Sequence, residues 1–184
     1  MTQFAPPLPR LRAFLREERA GISVETAVVL PFLALVYLQG FTYFDAYRAK
    51  SQLTKAGYSI ADLVSRRDVA LSPDDIEGLQ DVFGYITGTQ GRNWMRMTEL
   101  SMGPNNELDV TWSYSTDRNP ELANSYIPRV ENRLPPLDEG ERVLLVETYT
   151  RYEPAFNVGL PKRVIETFTP VRSRWGGQIR CPDC

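Results

Sequence analysis

Two cysteines three positions apart, Cys181 and Cys184 in Cys-Pro-Asp-Cys, come closest in type and spacing to a reactive motif in this chain. A Cys-x-x-Cys works as a thiol–disulfide catalyst where it opens a helix in a βαβ setting, because the helix end lowers the first thiol's pKa. No helical pattern accompanies this pair. A stapling disulfide outside the cytosol is therefore the expected role, with a periplasmic thiol oxidoreductase as the alternative. Other chemistry is thinly served. The chain contains no histidine, and so lacks the commonest general base and the commonest metal ligand. No carboxylate dyad, serine–base pair or metal-ligand spacing stands out, so no catalytic residue, metal site or cofactor is assigned and no enzymatic activity is expected. Asp74, Asp75 and Glu77 form an acidic cluster, but a helix start accounts for it. Gly88–Gly91 has the glycines of a phosphate loop without its lysine or the helix that should follow. A formal charge of −2 gives no electrostatic reason to expect nucleic acid as a partner, and no small-molecule substrate is indicated.

Glu25 poses a different kind of chemical question. It is the one formal charge in the run from Ala20 to Phe44, which is otherwise apolar almost throughout. A helix needs about 20 such residues to cross a bilayer, and a helix is the one single-segment structure that satisfies its own amides there. A carboxylate at the centre of such a helix costs roughly 2.5–3.5 kcal/mol on insertion scales. Two explanations stand side by side. Glu25 is either at the interfacial end of the helix, where the dipole favours negative charge, or it meets a positive partner inside the membrane. The α-amino group of a neighbouring copy would serve, and it exists only if a peptidase removes residues 1–20 or 1–21.

The elements that must position these residues follow from the pattern on either side. Residues 1–9 are proline-rich and are expected to lack regular structure. Arg10, Arg12, Arg16 and Arg19 then precede the apolar run, which leans towards a cytoplasmic N-terminus, although Arg48, Lys50 and Lys55 follow on the other side. The run is longer than a secretory signal and ends without an Ala-x-Ala site, so a retained span is expected at about 22–44. Beyond it Phe44, Tyr47, Leu53, Ala56, Ile60, Leu63 and Val64 recur at three- and four-residue steps, which predicts that the same helix continues as an amphipathic one to about Ser65. Pro31, inside the span, should kink it.

Ser72-Pro-Asp-Asp is a helix start, with Ser72 as N-cap and Ile76, Leu79, Val82, Phe83 and Ile86 as the expected buried stripe. Strands are predicted at 94–102 and 107–115, joined by the turn Gly103-Pro-Asn-Asn, and again at 141–152 and 163–169. Between the pairs, Asn119-Pro120 opens an expected helix to about Arg133, irregular because of Pro128. Helix, two strands, helix, two strands indicates an α+β class with an antiparallel sheet. The tryptophans Trp94, Trp112 and Trp175, with Tyr149 and Tyr152, are expected in the core or on strand faces. The layout is thus a leader at 1–20, a long helix at 21–67, and an α+β domain at 68–184.

Arg16-Glu-Glu-Arg-Ala-Gly-Ile-Ser-Val-Glu-Thr-Ala-Val-Val-Leu-Pro-Phe-Leu, with Tyr43-Phe-Asp-Ala-Tyr-Arg-Ala and Ala56-Gly-Tyr-Ser-Ile-Ala-Asp after it, resembles the N-terminal region of the TadE-like minor pilins, or pseudopilins, of the tight-adherence (Flp) pilus system. The resemblance covers residues 10–65. Beyond that it is one of layout, with a late strand running into Tyr152-Glu-Pro154. It implies a subunit held in the bacterial inner membrane by one span, its leader cytoplasmic and its α+β domain periplasmic. It also implies that a prepilin peptidase cuts next to a small residue so that the glutamate becomes the fifth of the mature chain. That count places the bond between Ala20 and Gly21, while cutting after Gly21 leaves Glu25 fourth. The implied partners are the membrane, other pilin or pseudopilin subunits through the N-terminal helix, the peptidase and the pilus assembly platform. Glu25 would neutralise a neighbour's N-terminal amine. An uncleaved single-span scaffold of the assembly machinery is the structural alternative.

Overall fold

The computed structural model describes residues 21–184; residues 1–20, with the expected leader and Ala20 of the processing pair, lie outside the described residues. The fold is α+β, a long N-terminal helix followed by a small domain with a four-stranded antiparallel sheet and two further helices. Two compact units divide the chain. One holds Met1–Phe44 and Ala155–Leu160, the other Asp45–Pro154 and Pro161–Cys184.

Helix α1 spans Gly21–Ser65 and is continuous through Pro31. Every residue from 21 to 36 is exposed, large apolar side chains such as Leu30, Phe32 and Leu33 included. From Asp45 onward α1 belongs to the second unit, and there it buries Ala46, Leu53, Ala56, Ile60, Ala61 and Val64. Phe44, Tyr47 and Leu63, expected in the same stripe, are exposed instead. The physical reason is close approach. A Cβ added at Gly57 would meet Thr167 Oγ1 at 2.9 Å, so α1 comes close to the sheet there, burying Leu53, Ile60 and Val64 beside the small Ala46, Ala56 and Ala61. At the start of this buried stretch Tyr152, the last residue of strand β3, donates its hydroxyl to Asp45 Oδ2 at 2.9 Å.

Helix α2 (Pro73–Thr87) begins as the sequence predicts. The Ser72 hydroxyl accepts from the Asp75 N–H, the Asp75 carboxylate accepts from the Ser72 N–H, and Pro73 opens the first turn. The Ser72 hydroxyl and N–H, both donating to the Asp75 carboxylate, with Arg67 beside it, hold that carboxyl below the usual carboxylate range. The buried face is Ile76, Leu79, Phe83 and Gly84, whereas Val82 and Ile86 are exposed. Gly84, outside the expected stripe, is buried, and a Cβ there would stand 2.9 Å from Asn93 Nδ2.

Strands β1 (Asn93–Met102), β2 (Leu108–Ser115), β3 (Arg142–Tyr152) and β4 (Arg163–Val171) pair in the order β2-β1-β3-β4, each pair antiparallel. The β1–β2 register shifts between Glu99 and Leu100, where the ladder bends. Side chains alternate between faces. Met95, Met97, Leu144, Val146 and Thr148 share the face that carries Thr167 and α1; Arg96, Thr98, Leu100, Val143 and Glu147 share the other.

That second face is covered by the β2–β3 connection, and here the expected helix from Asn119 is replaced by shorter pieces. A 3₁₀ turn at Asn124–Tyr126, a single α turn at Ile127–Val130 (α3) and a second 3₁₀ turn at Glu131–Arg133 make up the segment. Pro128 removes the amide that a longer helix would need. Leu122, Ile127 and Val130 are buried, with Leu122 and Val130 packing beside Leu100 and Val143, while Tyr126 is exposed. Ser113 ties the segment down by accepting the Leu122 N–H at 2.9 Å and sharing a hydrogen bond with Thr98.

Candidate functional site

The residues singled out by sequence fall in two separate places. Glu25 lies in the second turn of α1, exposed, and among the described residues no donor or cation is hydrogen-bonded to it. Gly21 and Pro31 lie on the same exposed helix. It is the one helix among the described residues long and apolar enough to cross a membrane. Among the described residues, those from 21 to 37 around the acid are exposed.

Cys181 and Cys184 are joined as a disulfide with their Cα atoms 5.4 Å apart, within the ordinary range. The pair occupies a turn and opens no helix, so the geometry that would activate a thiol is missing here. Cys181 is buried. What the turn secures is the strand-like tail before it. The Ile179 N–H donates to Glu99 Oε1 at 2.8 Å, Trp112 Nε1 donates to the Ile179 carbonyl at 2.8 Å, and the Leu71 N–H donates to the Arg180 carbonyl at 2.8 Å. Trp112 and Tyr152 are thus core residues as expected. Trp175 is not. It lies on the surface with its indole N–H on the carbonyl of Arg66, just past the end of α1.

Two buried carboxylates, Glu99 and Glu147, were not singled out by sequence reasoning. Each sits mid-strand between a threonine and an apolar residue, so nothing local sets it apart. Glu147 is 2% exposed and receives Arg96 in fork geometry, Nε to Oε2 at 2.6 Å and Nη2 to Oε1 at 2.9 Å. Tyr149 donates to the same carboxylate at 3.0 Å and accepts from Arg96 Nη2 at 2.9 Å, and Trp94 stacks on its ring with centroids 5.3 Å apart. Burial, then the Glu147 charge, pushes the Tyr149 phenol well above its ordinary value. The cluster borders a cleft of about 340 Å³ with Arg129, Arg133 and Glu166 at its rim. All of the Glu147 carboxylate's bonds come from Arg96 and Tyr149. What the arrangement does is lock β1 to β3, and through Arg96 Nη1 on the Pro120 carbonyl it also locks the irregular segment.

Glu99 is bound differently. Burial holds its carboxyl above the ordinary glutamate range, against the lowering effects of the Ile179 N–H and of Arg142. In the folded chain the neutral acid is therefore favoured relative to the unfolded chain. This contribution to stability is fully present below the ordinary glutamate value and is lost as pH rises through the elevated one. The expected result is that Glu99→Gln, which keeps an oxygen for Ile179 and never ionises, gains melting temperature relative to wild type as pH is raised from acid to neutral. Paired thermal melts of the detergent-solubilised chain across that range check it; two parallel curves would show that Glu99 does not titrate differently on folding.

Comparison of the chain with family models, with curated proteins and with solved structures gave no match in any of the three.

Proposed function

We propose that this chain is a TadE-like minor pilin or pseudopilin acting in the assembly of a tight-adherence pilus. Its N-terminal helix anchors it in the bacterial inner membrane as a single span, with the leader cytoplasmic and the α+β domain periplasmic. The observation that carries this reading is the division of labour along α1. Its first part is apolar, exposed all round and bears one acid, and its later part is built into a folded domain. A soluble core helix would bury the apolar part, and a cleaved signal would not continue unbroken into the domain. The motif resemblance at 10–65 supplies the rest of the assignment.

In this role the chain catalyses no reaction. It presents the span to the equivalent helices of other pilin or pseudopilin subunits and the domain to the assembly platform. Cys181 and Cys184 serve as a staple, and a Cys181→Ser, Cys184→Ser variant is expected to keep function. Processing is the step that separates a pilin from an anchored scaffold. After prepilin peptidase action the chain begins at Gly21 and Glu25 is its fifth residue. Intact mass of the membrane-extracted protein, made in cells with and without the peptidase, checks this. Loss of residues 1–20 only when the enzyme is present is the expected outcome. A leader retained in both would transfer the chain to the uncleaved scaffold class.

A further inference from the structure

The loop between β3 and β4 buries Leu160 but leaves Phe156 and its neighbours partly exposed. Its residues Ala155–Leu160 read Ala-Phe-Asn-Val-Gly-Leu. They carry no charge, and Glu153 and Lys162 close the neck of the loop through an ion pair at 3.0 Å. These six residues belong to the same compact unit as the apolar part of α1. The contact within that unit is specific: the Phe156 ring meets the Phe41 ring edge-to-face with centroids 6.0 Å apart. Phe156 is still 42% exposed. Phe41 lies twenty residues after Gly21, about 30 Å along a helix rising 1.5 Å per residue, which is the thickness of a bilayer's hydrocarbon core. With the span counted from Gly21, Phe156 would lie near the depth where the core gives way to headgroups.

We propose that the Ala155–Leu160 loop is a second membrane-contacting element, a wedge that dips its Phe156 tip into the interfacial layer of a phospholipid bilayer beside the span. This rests on the reading of residues 21–44 as a membrane span. Aromatic rings are favoured at that level, and short apolar elements bury about 5–10 Å into the headgroup and acyl boundary. Lys162 and Arg163 follow the loop in sequence after Pro161. A second copy of the chain is the poorer occupant. A six-residue loop is far short of the roughly 800 Å² per partner of a stable protein interface, whereas lipid surrounds a span on every side.

The test uses the full chain in phosphatidylcholine–phosphatidylglycerol vesicles, labelled with one environment-sensitive fluorophore at a time. The chain's two cysteines are paired, so Asn157→Cys labels the loop tip and Leu33→Cys reports on the span. Expected is a blue-shifted Asn157 probe, quenched more by nitroxide placed shallow on the acyl chain than by deep nitroxide or by aqueous iodide. The Leu33 probe should be quenched best by the deep nitroxide. Adding Phe156→Glu should expose the Asn157 probe to iodide while leaving the Leu33 probe unchanged. A Leu33 probe in the core with an Asn157 probe open to iodide overturns the wedge and leaves the span standing. An Asn157 probe shielded from iodide and lipid nitroxide alike means that another copy covers the loop, and also overturns it. If the Leu33 probe escapes the lipid quenchers, the span itself fails, and the wedge with it.

Discussion

Replacing Arg96 by alanine should destabilise the domain by about 3–5 kcal/mol, the loss typical of removing one partner from a buried ion pair. The size follows from what is left behind. Glu147 is 2% exposed, so once the guanidinium is gone its carboxylate keeps one donor, the Tyr149 hydroxyl, where it had three. An ion in that position must either stay charged without compensation or take up a proton, and both penalise the fold. Arg96 also holds the Pro120 carbonyl at 3.2 Å, so the cover over Leu100 and Val143 loosens at the same time. Against a total stability of about 5–15 kcal/mol for a typical domain, this would leave a large unfolded fraction. Urea unfolding of the detergent-solubilised chain measures it. Arg96→Lys should recover only part of the loss, since an ammonium cannot make the two-pronged contact. An Arg96→Met, Glu147→Leu double variant should recover most of it, because the penalty belongs to the stranded charge and not to the missing pair. A loss under about 1 kcal/mol for Arg96→Ala, the value of an exposed pair, would mean that water reaches Glu147.

What made the fold legible in the sequence was its local chemistry. The Ser72–Asp75 cap is set by residues three apart, and it is present atom for atom. The β-branched run of β3 and the Gly103–Asn106 turn are equally local, and each strand came within two residues of its predicted ends. What stayed hidden is decided by partners far along the chain. Large apolar residues dominate a periodicity reading, so Tyr47 and Leu63 seemed to mark the buried stripe of α1. Leu53, Ala56, Ile60 and Val64 of that stripe are buried as expected, joined by Ala46 and Ala61, and Gly57 lets the helix come close to Thr167. Val82 and Ile86 misled in the same way, since a helix with apolar residues on two sides does not say which side the sheet will take. Glu147 reads as one more polar residue in a strand until Arg96, fifty-one positions earlier, is placed opposite it. Glu99 likewise gains its meaning only from Ile179, eighty positions later. Charge and apolarity marked Glu25 at once, because the oddity there is a contrast with immediate neighbours.

Glu25→Ala separates anchoring from assembly because the two predict effects of opposite sign. If Glu25 were only a tolerated charge near one end of the span, its removal would relieve a desolvation cost, and membrane retention and assembly would be unchanged or improved. If it pairs with the α-amino group of a neighbour that begins at Gly21, the variant should insert as well as wild type and yet fail to join other subunits. The pair is worth most where water is excluded, and a stagger that misaligns it leaves two unpaired charges in hydrocarbon, so it sets register as well as attraction. The expected result is therefore normal abundance in the membrane fraction, normal leader removal, and near-complete loss of piliation and of co-purification with other pilin or pseudopilin subunits, in cells where this chain is the sole copy. Glu25→Gln should fail similarly, since an amide keeps the shape and polarity but not the charge. Glu25→Asp should keep partial function, its carboxylate drawn back by one methylene. Normal piliation in Glu25→Ala would remove the pairing role and leave the acid as an interfacial residue, even if the chain proved to be a processed membrane subunit.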